Sequence, residues 1–317
     1  MVQAGIKSAP ISSFEEDIRA ELARGDLAIG STAPVMRTLL SNSDPLLFSN
    51  EIVARVRGML SHLARQLLAV QAEEAGAADP LAIPRSQAND LTAILAADSG
   101  LLRHVHALAL ECQLIERLQV QNGLDGALTP LLQAQVASPD ASTAETAMAT
   151  LAAQVRFLQH SRRMELPLEE LPADLFHVAL QALAAPTEPE SAGRALARLR
   201  GGYDEGRSRR ALISRLVTGL GTTSAAALSV DHAGIAIFLS ALALASGQDR
   251  DIVVFSTSGS QVARLALALR AAGLKRQEAA RQFLFFHPEL ALPEEFEALG
   301  AHAAAGMLVS ADPFAGE

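Results

Sequence analysis

Between Glu51 and Gln71, the residues Ile52, Val56, Met59, Leu60, Leu63, Leu67 and Val70 follow one another in steps of three and four. That spacing sets all of them on one face of an α-helix. A stripe so long and so apolar cannot stand in water, so the rest of the chain or a second copy must cover it. A matching stripe follows in Leu102, Val105, Leu108, Ala109, Cys112, Ile115 and Leu118, on an element predicted over about residues 90–121 with a break near Ser99 and Gly100. Gly76, Pro80 and Pro84 interrupt the chain between the two, and Asn89 or Asp90 is placed to cap the second. The pair reads as an antiparallel hairpin. Its spare apolar surface predicts a four-helix arrangement in a homodimer, with Ile52, Val56, Met59, Leu60, Leu63 and Leu67 at the interface.

The composition agrees with an all-α chain. Half of the 317 residues are hydrophobic but only 4% are aromatic, with no Trp and one tyrosine, Tyr203. The formal charge of -9 argues against general nucleic-acid binding, which draws on phosphate neutralisation. The single cysteine, Cys112, excludes an intramolecular disulfide and reads as a buried small hydrophobe. Early acidic residues interrupt any apolar run near the start, and Ala233 to Gly247 is too short for a ~20-residue crossing. The expectation is a cytoplasmic protein with neither leader nor anchor.

Punctuation along the chain predicts four segments: an irregular arm over 1–43, a hairpin-and-bundle domain over 44–185, a helical domain over 193–300, and a tail over 301–317. The arm carries one short helix, Ser13 to Arg24, with Ser13 and Glu16 spaced as a capping box. Ser43, Asp44 and Pro45 open the first long helix. Further helices are expected over 128–136, 142–159 and 172–185, and PTEPESAG, from Pro186 to Gly193, reads as the interdomain linker. Beyond it, short helices near 209–219, 231–246, 249–257, 260–272 and 275–286 predict a multi-helix bundle or helical repeat. Ile252 to Phe255 reads as a buried helix in preference to a strand.

DHAGIAIFLSALALASGQDRDIVVF and the following QVARLALALRAAGLKRQEA resemble the C-terminal region of an uncharacterised family of all-helical bacterial proteins, over roughly residues 206–290. That resemblance implies an all-helical fold and carries no activity, cofactor or site residue with it.

No motif compels a reaction. His62 lies about 110° from the centre of the first stripe, and SHLARQLL around it resembles the phosphoacceptor helix of sensor histidine kinases. That resemblance implies a phosphotransfer protein or mimic with a response regulator as partner. Leu63 replaces the acidic residue usual after the histidine, and the ordinary surface histidine is the weightier reading. His104 and His106 point about 200° apart on a helix and cannot share one ion. His160, Arg162 and Arg163 suit a helix C-terminus.

The densest charge feature runs from Arg194 to Arg215. There Arg198, Arg200, Arg207, Arg209 and Arg210 surround Tyr203, an arrangement suited to anion, nucleotide or partner binding, unless these arginines pair with nearby acids on a solvated face. GLGTTS reads as an interhelical turn, STSGSQ as hydroxyl N-caps, and Asp231 as a cap. No metal or cofactor is expected. The leading expectation is a non-enzymatic, regulatory protein-interaction module with an unidentified protein partner.

Overall fold

A computed structural model describes residues 9–41, 51–185 and 189–311. Among them the chain is all-α, with fifteen α-helices, five short 3-10 turns and no strand. In order the helices are α1 (Ala9–Gly30), α2 (Thr32–Ser41), α3 (Glu51–Glu74), α4 (Arg85–Ala97), α5 (Ser99–Asn122), α6 (Pro130–Val136), α7 (Ala141–Arg162) and α8 (Ala173–Ala184). They continue as α9 (Pro189–Gly202), α10 (Arg209–Gly219), α11 (Val230–Ser246), α12 (Arg250–Ser256), α13 (Val262–Ala271), α14 (Arg276–Phe286) and α15 (Ala301–Ser310). None of these helices is by itself long and apolar enough to cross a membrane.

The helices group into two units. A central unit comprises Ala33–Ala227 with Asp231–Ile237, and a terminal unit joins Met1–Thr32 to Leu228–Val230 and Phe238–Glu317. This corrects the expected boundary at 186–193. Of that stretch, 186–188 fall outside the described residues and Pro189 opens α9, which packs on α3 and α8 inside the central unit. It also corrects the irregular arm: α1 is a full helix that starts ahead of Ser13, so the Ser13–Glu16 capping box is absent. The expected tail over 301–317 instead holds α15 over Ala301–Ser310, while residues 312–317 and the expected opening at Ser43 fall outside the described residues.

In the central unit α3 packs against α4, α5, α8 and α9. Val56, Met59, Leu60, Leu63 and Leu67 are fully enclosed and Ile52 is 6% exposed. Such side chains contribute roughly 1.5–3 kcal/mol each on burial. The stripe is therefore covered by the chain's own helices, which corrects its assignment as a dimer interface: a fully enclosed side chain has no surface left for a second copy. The element predicted over 90–121 breaks at Asp98, whose carboxylate accepts the Leu101 N–H at 2.7 Å to cap α5. Neither Asn89 nor Asp90 caps α4, which starts earlier, after Pro84.

The terminal unit repeats this arrangement around α13, whose residues Ala263 to Leu269 are all buried. Helices α1, α12, α14 and α15 pack against it. Alanines at 263, 266 and 268 let the neighbours approach, and α1 contributes Phe14, Ile18, Leu22 and Ile29 at helical spacing. Arg264 is the one charge within this apolar run, and it is fully buried. Its guanidinium donates to Gln248 Oε1 at 2.9 Å, to the Ala311 carbonyl at 3.0 Å and to the Asp26 carboxylate. One side chain thus ties α1, the turn after α11 and the end of α15 to α13.

Three capping expectations are also corrected. Asp231 sits inside α11, after the N-cap Ser229. Ser256 and Thr257 donate their hydroxyls back to the Val253 and Val254 carbonyls, both at 2.7 Å, and so serve the end of α12. Ser258 makes no side-chain cap to the turn that precedes α13.

Candidate functional site

The residues nominated from the sequence lie in the central unit, and most hold the fold together. His62 faces the segment after α7. That segment can approach α3 because position 58 is glycine: a Cβ there would sit 2.6 Å from Met164 Cβ. Met164 itself has φ 57°, the left-handed conformation that a non-glycine residue adopts at a cost.

His62 Nδ1 lies 3.1 Å from the Leu166 backbone nitrogen, 2.9 Å from the Leu166 carbonyl oxygen and 2.9 Å from the Gln66 amide nitrogen. Gln66 also donates to the Leu166 carbonyl at 2.8 Å and accepts the Leu168 N–H at 3.1 Å. The two side chains take the place of a missing backbone partner for residues 166–168. A phosphoryl acceptor needs a free imidazole lone pair. Here Nδ1 is engaged by Leu166 and Gln66.

His62→Ala is accordingly expected to cost about 1–3 kcal/mol by leaving the Leu166 N–H without its acceptor. Gln66→Ala should cost more, since it releases two groups. Urea unfolding at pH 7 reads both, and an unchanged midpoint for either variant would remove this structural role.

The arginine-rich segment disperses in three dimensions. Arg198 pairs outward with Glu73 at 2.9 Å and Glu74 at 3.1 Å, on the last turn of α3. Arg200 and Arg207 are exposed. Tyr203 stacks on Phe176 with ring centroids 4.0 Å apart and donates its hydroxyl to the Leu171 carbonyl at 2.7 Å. Burial, with Glu205, Asp174 and Asp204 nearby, pushes the phenol up to about 12. One face of its ring is thereby taken up by Phe176.

Arg209 points inward. Its guanidinium forms a two-pronged bridge to Glu111 at 2.7 and 2.9 Å, donates to Gln154 Oε1 at 3.1 Å and lies 3.6 Å from the centroid of Phe157. Both partners of that bridge are within 1% of complete burial. Burial alone would lower the arginine's pKa, but Glu111 and Glu170 hold it above its ordinary value. Arg210 reaches His104 Nδ1 at 3.3 Å. The six nominated residues therefore do not converge on one anion site.

Cys112 is buried, and burial beside Glu111 pushes its thiol up to about 11, the behaviour of a packing residue and not of a nucleophile. His160 and Arg162 stand in the last turn of α7 and Arg163 at its C-cap, as expected of a cationic helix end, and His160 also lies 2.9 Å from the Glu165 carboxylate, whose pKa it lowers.

A large open space belongs to the terminal unit, which the sequence did not nominate. A cleft of about 830 Å³ runs between α1, α13 and the segment Ala291–Phe296. Val262, Ala263, Ala266 and Leu267 of α13, with Phe283 of α14, form its floor, and Phe14, Ile18 and Ala20 of α1 form one wall. Leu292, Pro293 and Phe296 close the opposite side. Asp17, Glu21, Arg24 and Glu295 stand on the lining, with Arg24 in an ion pair with Glu21. The volume lies in the range of clefts that take drug-sized ligands, roughly 300–1,000 Å³.

No protein-family model matches the chain, and neither a curated protein nor a solved structure does. The cleft must be read from its own chemistry.

Proposed function

We propose that the protein is a regulatory recognition module that works by holding an apolar ligand or partner group in the cleft of its terminal unit, and not by making or breaking bonds. The single observation that carries this reading is the cleft itself. A concave, largely apolar space of this size with a few polar groups on its lining is the usual setting of a small-molecule site. The engagement of His62, Tyr203, Arg209 and Cys112 in structural contacts supports the same reading, because the groups best suited to chemistry are committed elsewhere.

A neutral solvatochromic dye tests it. Nile red should bind the wild-type chain at one site with blue-shifted, enhanced emission. Ala20→Trp places a large side chain from an exposed position of α1 into the cleft, and should abolish that signal while leaving the melting temperature near the wild-type value. Dye binding that is equal in the two proteins would overturn the reading.

A further inference from the structure

We infer that the cleft selects an amphiphilic organic cation, a compact hydrophobic body carrying one permanent positive charge. This rests on the reading of the cleft as the recognition site and adds the chemistry of its occupant. Three carboxylates stand on the lining, Asp17, Glu21 and Glu295, against the single cation Arg24. Arg24 and Glu21 neutralise one another as an ion pair. Asp17 on α1 and Glu295 on the opposite segment remain, and neither forms a salt bridge among the described residues.

The surroundings strengthen the sign. The turn Glu294–Glu297 reads Glu-Glu-Phe-Glu, with its three acidic residues exposed and Phe296 buried at the lining of the cleft. Below this rim the lining is aliphatic and aromatic, and Phe14, the partly exposed ring among its phenylalanines, is of the kind that attracts a cation. An anion would meet two uncompensated carboxylates, and a neutral ligand would leave them unused.

Size favours a small molecule over a helical peptide. An α-helix about 10 Å across would consume some 830 Å³ in about two turns, too little for the three or more anchors by which helices dock in grooves. A compact body of drug size fits within the same volume.

Tetraphenylphosphonium and tetraphenylborate have nearly the same shape and opposite charge, so they isolate the electrostatic choice. With the full chain in low salt, isothermal titration should show tetraphenylphosphonium binding at one site and at least tenfold more tightly than tetraphenylborate. Asp17→Asn combined with Glu295→Gln should weaken the cation about tenfold and leave Nile red unchanged. Raising the salt to about 0.5 M should also weaken the cation, since exposed charges are screened.

The outcomes separate cleanly. Nile red binding with no preference for the cation would overturn this inference and leave the recognition reading standing. If neither dye nor cation binds, both fail. If neither binds and Ala20→Trp shifts the sedimentation coefficient, the cleft is an interface between copies of the chain and the cation assignment falls.

Discussion

Replacing Arg209 with Met is expected to destabilise the central unit by about 3–5 kcal/mol, the largest effect of any single exchange considered. The buried Glu111 carboxylate would lose both prongs of its bridge, and Gln154 would lose the donor to its Oε1. The loss is one of compensation more than of attraction, because a buried charge without a partner is far costlier than a buried pair. Arg209→Met together with Glu111→Leu should therefore recover most of the deficit. The deficit of the single variant should also shrink in acid. Without Arg209 the Glu111 carboxyl titrates above its unfolded value, so the folded state takes up the proton first and gains stability as pH falls. Tyr203 is the only tyrosine in a chain without Trp, and it sits in the same unit, so its fluorescence follows this transition selectively. A double variant no more stable than the single one would show that the bridge is not what holds Arg209 in place.

Gly234→Ala should be the most damaging change of a single methyl group, at about 4 kcal/mol. Gly234 has φ 74° and ψ 168°, a region that residues with a side chain reach only at a cost of roughly 1–3 kcal/mol. A Cβ there would also lie 2.4 Å from Thr129 Cγ2, adding an overpacking cost of similar size. Thr129 cannot simply move away, since its hydroxyl accepts the Leu132 N–H at 3.3 Å and caps α6. Thr129→Ser removes the offending methyl and keeps the cap. In the Gly234→Ala background it should restore roughly half of the loss, leaving the backbone part. Complete restoration would show that the backbone strain is negligible; no restoration would show that the clash is relieved by other movements.

Much of the all-α architecture was legible because helix formation leaves a periodic trace in the residues themselves. The stripe from Ile52 to Leu67 and the break near Ser99 are local patterns, and the structure places α3 and the α4–α5 junction where they point. What covers the stripe was not legible, because the spacing of one helix cannot distinguish a neighbour in the same chain from a second copy. The linker reading failed for a related reason. Pro186 and Pro189 mark a local interruption, whereas membership of a unit is decided by contacts between distant segments. Two of the buried charges did leave a signal, as Glu111 and Arg264 each interrupt a run of Leu and Ala, where a charge without a partner would be ruinous. The cleft left none. Its lining comes from α1, α13, α14 and a loop near residue 293, and no sequence pattern records which of these meet.

The bond from Arg264 on α13 to Asp26 on α1 joins residues 238 positions apart. On the ribosome α1 therefore emerges with its apolar face bare and waits through the synthesis of the whole central unit before its partner helices exist. The central unit, nearly contiguous, is free to fold in the meantime. Such a segment is exposed to holdase chaperones, and a nascent chain halted before α13 should retain a protease-sensitive N-terminus even when the interior of the chain has become resistant.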